Sequence, residues 1–223
     1  ISLAGQLLQS QPHRVLHIHF GGGSPTMLQP DVFKQVMATL RSNFNIVPEA
    51  EIAIEVDPRN VDDAKIHAYA QTGINRISIG AQDFNLEVQT AINRLQPFEL
   101  VQQCIQNFKS QGIHHINLDL IYGLPKQTVE KVAYNIDTAL RLHPDRIALF
   151  AYAHVQWMKK HMQLIQESDL PDGLSRLAMY KIASEKLAQQ GYQAIGLDHF
   201  AQPTDAMSEA LADQTLKRNF QGY

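Results

Sequence analysis

Three consecutive glycines, Gly21, Gly22 and Gly23, precede Ser24-Pro25-Thr26 and form the stretch best suited to hold a ligand. Without a Cβ, their N–H and C=O groups approach a bound molecule closely, and they adopt φ > 0 without strain. The stretch matches neither common phosphate loop, since no G-x-G-x-x-G is present and no Gly-Lys-Ser/Thr follows. A tight turn alone would account for the glycines. What favours a ligand is that polar groups recur at the ends of later apolar runs. These are Glu55 with Asp57, Gln82 with Asp83, Asp119, Ala153 with His154, and Asp198 with His199; Arg94 adds a cation. Carboxylates accept from an ammonium group and from ribose hydroxyls, and Arg94 forks onto a carboxylate. A zwitterionic amino acid joined to a nucleoside engages all of them. A strand interior of Ile and Val does not solvate a carboxylate, so Glu55 and Asp119 need partners.

The elements that position these groups alternate in type. Val15-Leu16-His17-Ile18 reads as a strand, which Pro25 and Pro30 stop. A helix from about Asp31 to Phe44 places Phe33, Val36, Met37, Leu40 and Phe44 on one face. The strand Glu51 to Asp57 ends at Pro58, Asn60 is the expected N-cap of the next helix, and Gly73 ends it. A third strand runs from Arg76 to Asp83. Asn85 caps a short helix leading to Asn93-Arg94, and Pro97 starts a helix that buries Val101, Cys104, Ile105 and Phe108 before Gly112. His115 to Tyr122 is the fourth strand, Thr128 caps the helix carrying Val132 and Ile136, and Arg146 to Tyr152 is the fifth strand. Helical stretches with Trp157, Met158, Leu164 and Ile165, then Leu174 to Gln190, lead to Tyr192–His199, a sixth strand or a return segment.

This alternation is the signature of an α/β fold with a parallel sheet and right-handed crossovers. A full eight-unit barrel takes about 250 residues, so five or six units predict a partial barrel. A doubly wound sheet is the alternative, disfavoured by the missing nucleotide loops and the polar strand ends. With 223 residues, 44% hydrophobic and 18% charged, the composition is that of a globular domain. The formal net charge of −3 and scattered histidines give no basic stripe for nucleic acid. No apolar run approaches the ~20 residues that span a bilayer, and no leader pattern opens the chain, so a cytoplasmic location is expected. The single cysteine, Cys104, excludes an internal disulfide and falls on an apolar helical face, where thiols are inert. Ile1 to Ser10 reads as the tail of an amphipathic helix without an N-cap, and Lys217 to Tyr223 stops on a turn signal, so a fragment of a longer polypeptide is expected.

In this order occur Gly21-Gly22-Gly23-Ser24-Pro25-Thr26, Ile54-Glu55-Val56-Asp57-Pro58, Gly80-Ala81-Gln82-Asp83-Phe84, Asn93-Arg94, Asp119-Leu120-Ile121-Tyr122-Gly123-Leu124-Pro125 and Tyr152-Ala153-His154. With Asp198-His199-Phe200-Ala201 and Arg218 to Tyr223, the set resembles the oxygen-independent coproporphyrinogen III oxidases of the radical S-adenosylmethionine superfamily. The resemblance implies a partial (β/α)6 TIM-like barrel, incomplete at its N-terminal edge, spanning 1–223 as a core fragment. It implies that Gly22, Gly23 and Ser24 bind the methionine amino group of S-adenosylmethionine. Glu55, Gln82, Arg94, Asp119 and the Ala153 backbone would bind the remainder, and Phe220 and Gln221 a second molecule. It names no catalytic residue.

The implied reaction removes CO₂ from two propionates of coproporphyrinogen III, using a 5′-deoxyadenosyl radical and an outside electron donor. The same family holds a 4Fe–4S cluster on C-x3-C-x2-C, and this chain has only Cys104. No metal ligand is therefore assigned in it, and the motif is expected upstream of residue 1 or lost. A missing first strand would leave Val15 to Phe20 as an open edge through which the fragment self-associates. Two alternatives remain: a haem-binding chaperone of the same superfamily, and a metal-dependent barrel hydrolase built on His17, His19, His154, Asp198 and His199.

Overall fold

The computed structural model describes residues 1–8, 14–158 and 160–217. In order, its first elements are α1 (Ser2–Leu8), β1 (Arg14–Phe20), α2 (Pro30–Asn43), β2 (Asn45–Val56), α3 (Asp63–Thr72), β3 (Arg76–Gln82), α4 (Leu86–Ala91) and α5 (Phe98–Ser110). Then come β4 (His115–Tyr122), α6 (Val129–Leu140), β5 (Arg146–Ala151), α7 (Gly173–Gln189), β6 (Gln193–Gly196), β7 (His199–Ala201) and α8 (Ala206–Ala212). The chain forms two compact units, Ile1–Gly80 with Glu99–Ile116, and Ala81–Phe98 with Asn117–Tyr223.

In the first unit β1, β2 and β3 pair in parallel, with His19 opposite Ala53, Phe20 opposite Ile54, and Glu55 opposite Ser78. Side chains alternate along a strand, so this register sorts the sheet into two chemically distinct faces. Ile18, Phe20, Ile52, Ile54, Ile77 and Ile79 share one face, and Ile54, Ile77 and Ile79 are fully buried. Phe20, Phe33, Tyr69 and Phe108 form a row of ring contacts from β1 through α2 and α3 to α5, at centroid spacings of 5.0, 4.8 and 6.4 Å. His17, His19, Glu51, Ala53, Glu55, Arg76 and Ser78 share the opposite face. Arg76 Nε donates to Glu51 Oε2 there at 2.8 Å.

Two expectations for this unit need correction. β2 begins at Asn45 rather than Glu51, and its pairing slips from Val15–Ile46 to His17–Glu51. The slipped stretch contains Pro48, which lacks an N–H for a ladder and suits an irregular segment. The N-cap of α3 is Asp62, whose carboxylate accepts from Lys65 N at 2.9 Å; Asn60 lies in the preceding turn, its N–H on Asp57 O. Both residue types cap well, and the turn after Pro58 delays the helix by two residues. Gly73 ends α3 with φ 89° as expected, and Cys104 is buried on α5.

In the second unit β4 and β5 pair in parallel, Asn117 opposite Arg146, over a core that includes Leu118, Leu120, Ile136, Ile147, Leu149 and Leu187. Tyr192 to His199 forms the return segment, not a further parallel strand. Its two halves are β6 and β7, an antiparallel hairpin in which β7 also pairs antiparallel with β5. Only Leu197 and Asp198 separate them, and so short a link permits antiparallel pairing alone. The stretch around Trp157 and Leu164 is not α-helical: it is a turn followed by short 3-10 segments at Lys160–Leu164 and Glu167–Asp169. Trp157 is 81% exposed, so no apolar face is buried there that could sustain a helix. Among the described residues no helix is long and apolar enough to cross a membrane.

Candidate functional site

The glycine loop leaves β1 directly. Gly22 and Gly23 have φ of 75° and 66°, and nothing lies within 4 Å of where a Cβ would stand on either. Both therefore adopt a left-handed conformation with open space where a side chain would stand, room that a ligand can enter. At Gly21 a Cβ would come within 2.5 Å of Glu55 Oε1 and 2.7 Å of His19 Nε2, so a larger residue would push these two side-chain ends aside. Ser24 opens a 3-10 turn, Pro25–Met27, in which Met27 N donates to Ser24 O at 2.9 Å and Thr26 is buried.

Glu55, near the carboxyl end of β2, leans over this loop. Its Oε2 accepts from Gly22 N at 3.3 Å, and its Oε1 accepts from His19 Nε2 at 3.1 Å. The His19 bond is the main cause that holds the Glu55 carboxyl below the usual range; burial opposes it, and the His19 charge and Gly22 N–H add to it. The partner that a carboxylate at this strand end required is thus His19, two residues before the loop. In the sequence His19 stood out only beside His17, within the hydrolase alternative, and not as the partner of Glu55. Among the described residues no three His, Cys, Asp or Glu side chains gather to hold a metal, so the hydrolase alternative finds no support. Asp57, just beyond β2, is engaged by Arg59 through both oxygens, at 3.0 and 2.7 Å.

In the second unit Gln82 ends β3 at φ 63°, and its Oε1 is a buried atom without a hydrogen-bond partner among the described residues. Arg94 follows Asn93, itself left-handed at φ 52°, and its N–H donates to Gln89 O at 2.8 Å. Asp119 on β4 accepts from Asn117 Nδ2, on the same strand face, at 3.0 Å. Ala153 is exposed beyond β5, after a Tyr152 N–H that donates to Tyr122 O at 2.8 Å. His154 is held by Tyr152 OH at 3.1 Å and by Gln156. Asp198 and His199 bracket the start of β7, not the end of a parallel strand. Phe220 and Gln221 lie outside the described residues.

Asp83 differs from the other strand-end carboxylates. It is fully buried, accepting from Asn85 N, Asn85 Nδ2 and Gln127 Nε2 at 2.6, 2.9 and 2.7 Å. Gln127 also donates to Ile121 O and accepts from Leu124 N, so the pair braces the Tyr122–Pro125 exit of β4. Burial pushes the Asp83 carboxyl up, against the opposing pull of these donors. Asn85 stands at the N-cap of α4 as expected, yet its side chain serves Asp83 and Lys131 O instead of the helix.

The profile of the Radical SAM superfamily matches residues 5–139, more than half of the chain. The chain belongs to the radical SAM superfamily. It is 46% identical over 210 residues to the oxygen-independent coproporphyrinogen III oxidase of Bradyrhizobium diazoefficiens, covering 94% of this chain and 47% of that protein. Against the enzyme of the same name from Pseudomonas aeruginosa it is 41% identical over 216 residues, covering 96% and 47%. The solved structure of coproporphyrinogen III oxidase from Escherichia coli, described as a radical SAM enzyme, superimposes with a TM-score of 0.90 at 38% identity over 100% of this chain and 53% of that one. The fold class is thus the α/β partial barrel of this superfamily, and the chain spans about half the length of the curated relatives it matches.

A superfamily defined by S-adenosylmethionine and an iron–sulfur cluster sets two fit tests. S-adenosylmethionine passes on the first unit: the open side of Gly22 and Gly23, beside an ionised and half-exposed Glu55, suits an ammonium or hydroxyl donor. The cluster does not. It requires several thiolates, whereas Cys104 is the only cysteine, is buried on α5, and has its thiol pushed up to about 12 by burial.

Proposed function

We propose that this chain is the S-adenosylmethionine-binding portion of an oxygen-independent coproporphyrinogen III oxidase. The observation that carries the reading is the glycine loop held open at Gly22 and Gly23 under the carboxylate of Glu55. The names of the relatives and the extent of their similarity support it. In this reading Gly22, Gly23 and Ser24 receive the methionine amino group and Glu55 accepts from the ligand's donors. Gln82, whose Oε1 has no hydrogen-bond partner among the described residues, Arg94, Asp119 and the Ala153 backbone are the ligand groups proposed in the second unit. Phe220 and Gln221 are assigned to a second molecule of the same ligand.

Bound S-adenosylmethionine supplies a hydrogen-abstracting radical on one-electron reduction. The chain's own residues bind and orient it: the loop carbonyls accept from the amino group, and Glu55 neutralises its positive charge. The substrate of the whole protein is coproporphyrinogen III, two of whose propionates lose CO₂ to leave vinyl groups. An electron donor and a cluster held by cysteines outside these 223 residues are required as well. The test is anaerobic incubation of the full-length protein with coproporphyrinogen III, S-adenosylmethionine and a strong reductant. Formation of protoporphyrinogen IX together with 5′-deoxyadenosine is expected. Tight haem binding with neither product would instead assign the protein to transfer rather than oxidation.

A further inference from the structure

We propose that His19 is a positioning residue of the S-adenosylmethionine site, holding the carboxylate of Glu55 over the glycine loop. The inference rests on the reading of Glu55 and the loop given above. Glu55 lies beside His19 diagonally across the β1–β2 pair, because His19 stands opposite Ala53 and Ala53 shares a strand face with Glu55. Ala53 is small, so the imidazole passes over it and reaches Oε1 at 3.1 Å. On the other flank the residue opposite Glu55 is Ser78, again small. Gly21 completes the arrangement, since a Cβ would collide with both Glu55 Oε1 and His19 Nε2. Small residues on three sides thus clear the space in which the two side chains meet.

The other bond holding the carboxylate, from Gly22 N, is longer at 3.3 Å and belongs to the loop that receives the ligand. His19 is therefore the anchor that stays when the loop turns to a bound molecule. The contact requires a proton on Nε2, which either the neutral tautomer or the cation provides. A glutamine in its place carries an N–H the same number of bonds from Cβ. A leucine carries none.

The test is titration of S-adenosylhomocysteine, which is not cleaved, into the full-length, cluster-loaded protein and its His19→Leu, His19→Gln, Glu55→Gln and His19→Leu/Glu55→Gln variants. Both side chains are partly exposed, which limits the loss for His19→Leu to roughly fivefold in affinity. His19→Gln should recover wild-type affinity to within about twofold, and His19→Leu should add nothing in the Glu55→Gln background. Equal weakening in both backgrounds, or no weakening by His19→Leu when Glu55→Gln does weaken binding, overturns the positioning role alone. Unchanged affinity in Glu55→Gln removes the site reading and the positioning role with it.

Discussion

Gly22 and Gly112 provide a matched pair that separates a ligand loop from a turn. Both are left-handed, at φ 75° and 83°, and both face open space where a Cβ would stand. Gly112 follows the last helical turn of α5, while Gly22 lies under Glu55. Alanine at either position meets no atom, so the cost to stability is backbone strain alone, about 1 kcal/mol in each case. Urea unfolding of the full-length protein should therefore show two equal, small losses. Ligand affinity should not behave alike. A methyl group on Gly22 projects into the open space that the ligand's amino group is proposed to fill. Displacing one charge-assisted hydrogen bond, worth about 1.5–3 kcal/mol, weakens binding at least about tenfold. Valine should weaken it further, because a β-branched residue tolerates positive φ least. The assay is S-adenosylhomocysteine titration of Gly22→Ala, Gly22→Val and Gly112→Ala side by side. If Gly22→Ala binds as tightly as Gly112→Ala, the glycine stretch is a turn and the reasoning fails.

Asp83→Asn should destabilise the protein by about 1–3 kcal/mol in urea, although it removes a buried charge, because every group facing the carboxylate is a donor and Gln127 is held in orientation by Ile121 O and Leu124 N; a gain in stability would contradict the network. Glu55 titrates below its ordinary 4.5, so its contribution is complete above that pH and lost as pH falls through the lowered value. The stability gap between wild type and Glu55→Gln should accordingly shrink as pH falls below 4.5, and a gap that widens in acid would show the opposite shift. Cys104, with its thiol near 12, should react with iodoacetamide at pH 8 only as fast as the chain unfolds, and Cys104→Ala in the full-length protein should leave iron content unchanged; rapid native labelling or loss of iron would refute this. β1 is flanked by β2, and among the described residues no strand lies on its other side, with Leu16 48% exposed. The 223-residue chain should self-associate with rising concentration in sedimentation runs, and Leu16→Lys should reduce this; a monomer at all concentrations would show that the edge is protected.

The fold was legible where periodicity and punctuation agreed. Phe33 and Met37 on α2, Val101, Cys104, Ile105 and Phe108 on α5, and the Thr128 cap of α6 all follow from spacing that only a helix satisfies. It was less legible where one residue type serves two purposes. Asp62 and Asn60 both cap helices, and choosing between them takes the geometry of the turn after Pro58. Tyr192 to His199 has the apolar content of one strand. Only the pairing of β7 with β5 shows that Leu197 and Asp198 are a hairpin turn within it.

At the site, the identity of the groups was readable and their partners were not. The spacing of His17 and His19 places them on one strand face, but what lies across from them depends on register. In a parallel pair, register is set by the crossover and by irregularities, here the slip in the Pro48 stretch, and a shift of one residue would send Glu55 to the apolar face. A metal pair and a carboxylate anchor are therefore indistinguishable in the sequence V-L-H-I-H-F. The same holds for strand-end carboxylates. Asp83 and Glu55 occupy equivalent places in the pattern, yet one is buried by Gln127, 44 residues downstream, and the other is left half-exposed above a glycine loop. What separates a brace from a ligand group is whether its donors bury the carboxylate, as Asn85 and Gln127 do for Asp83, or leave it open, as His19 and Gly22 do for Glu55. No local motif records that, and solvent exposure at the strand end decides it.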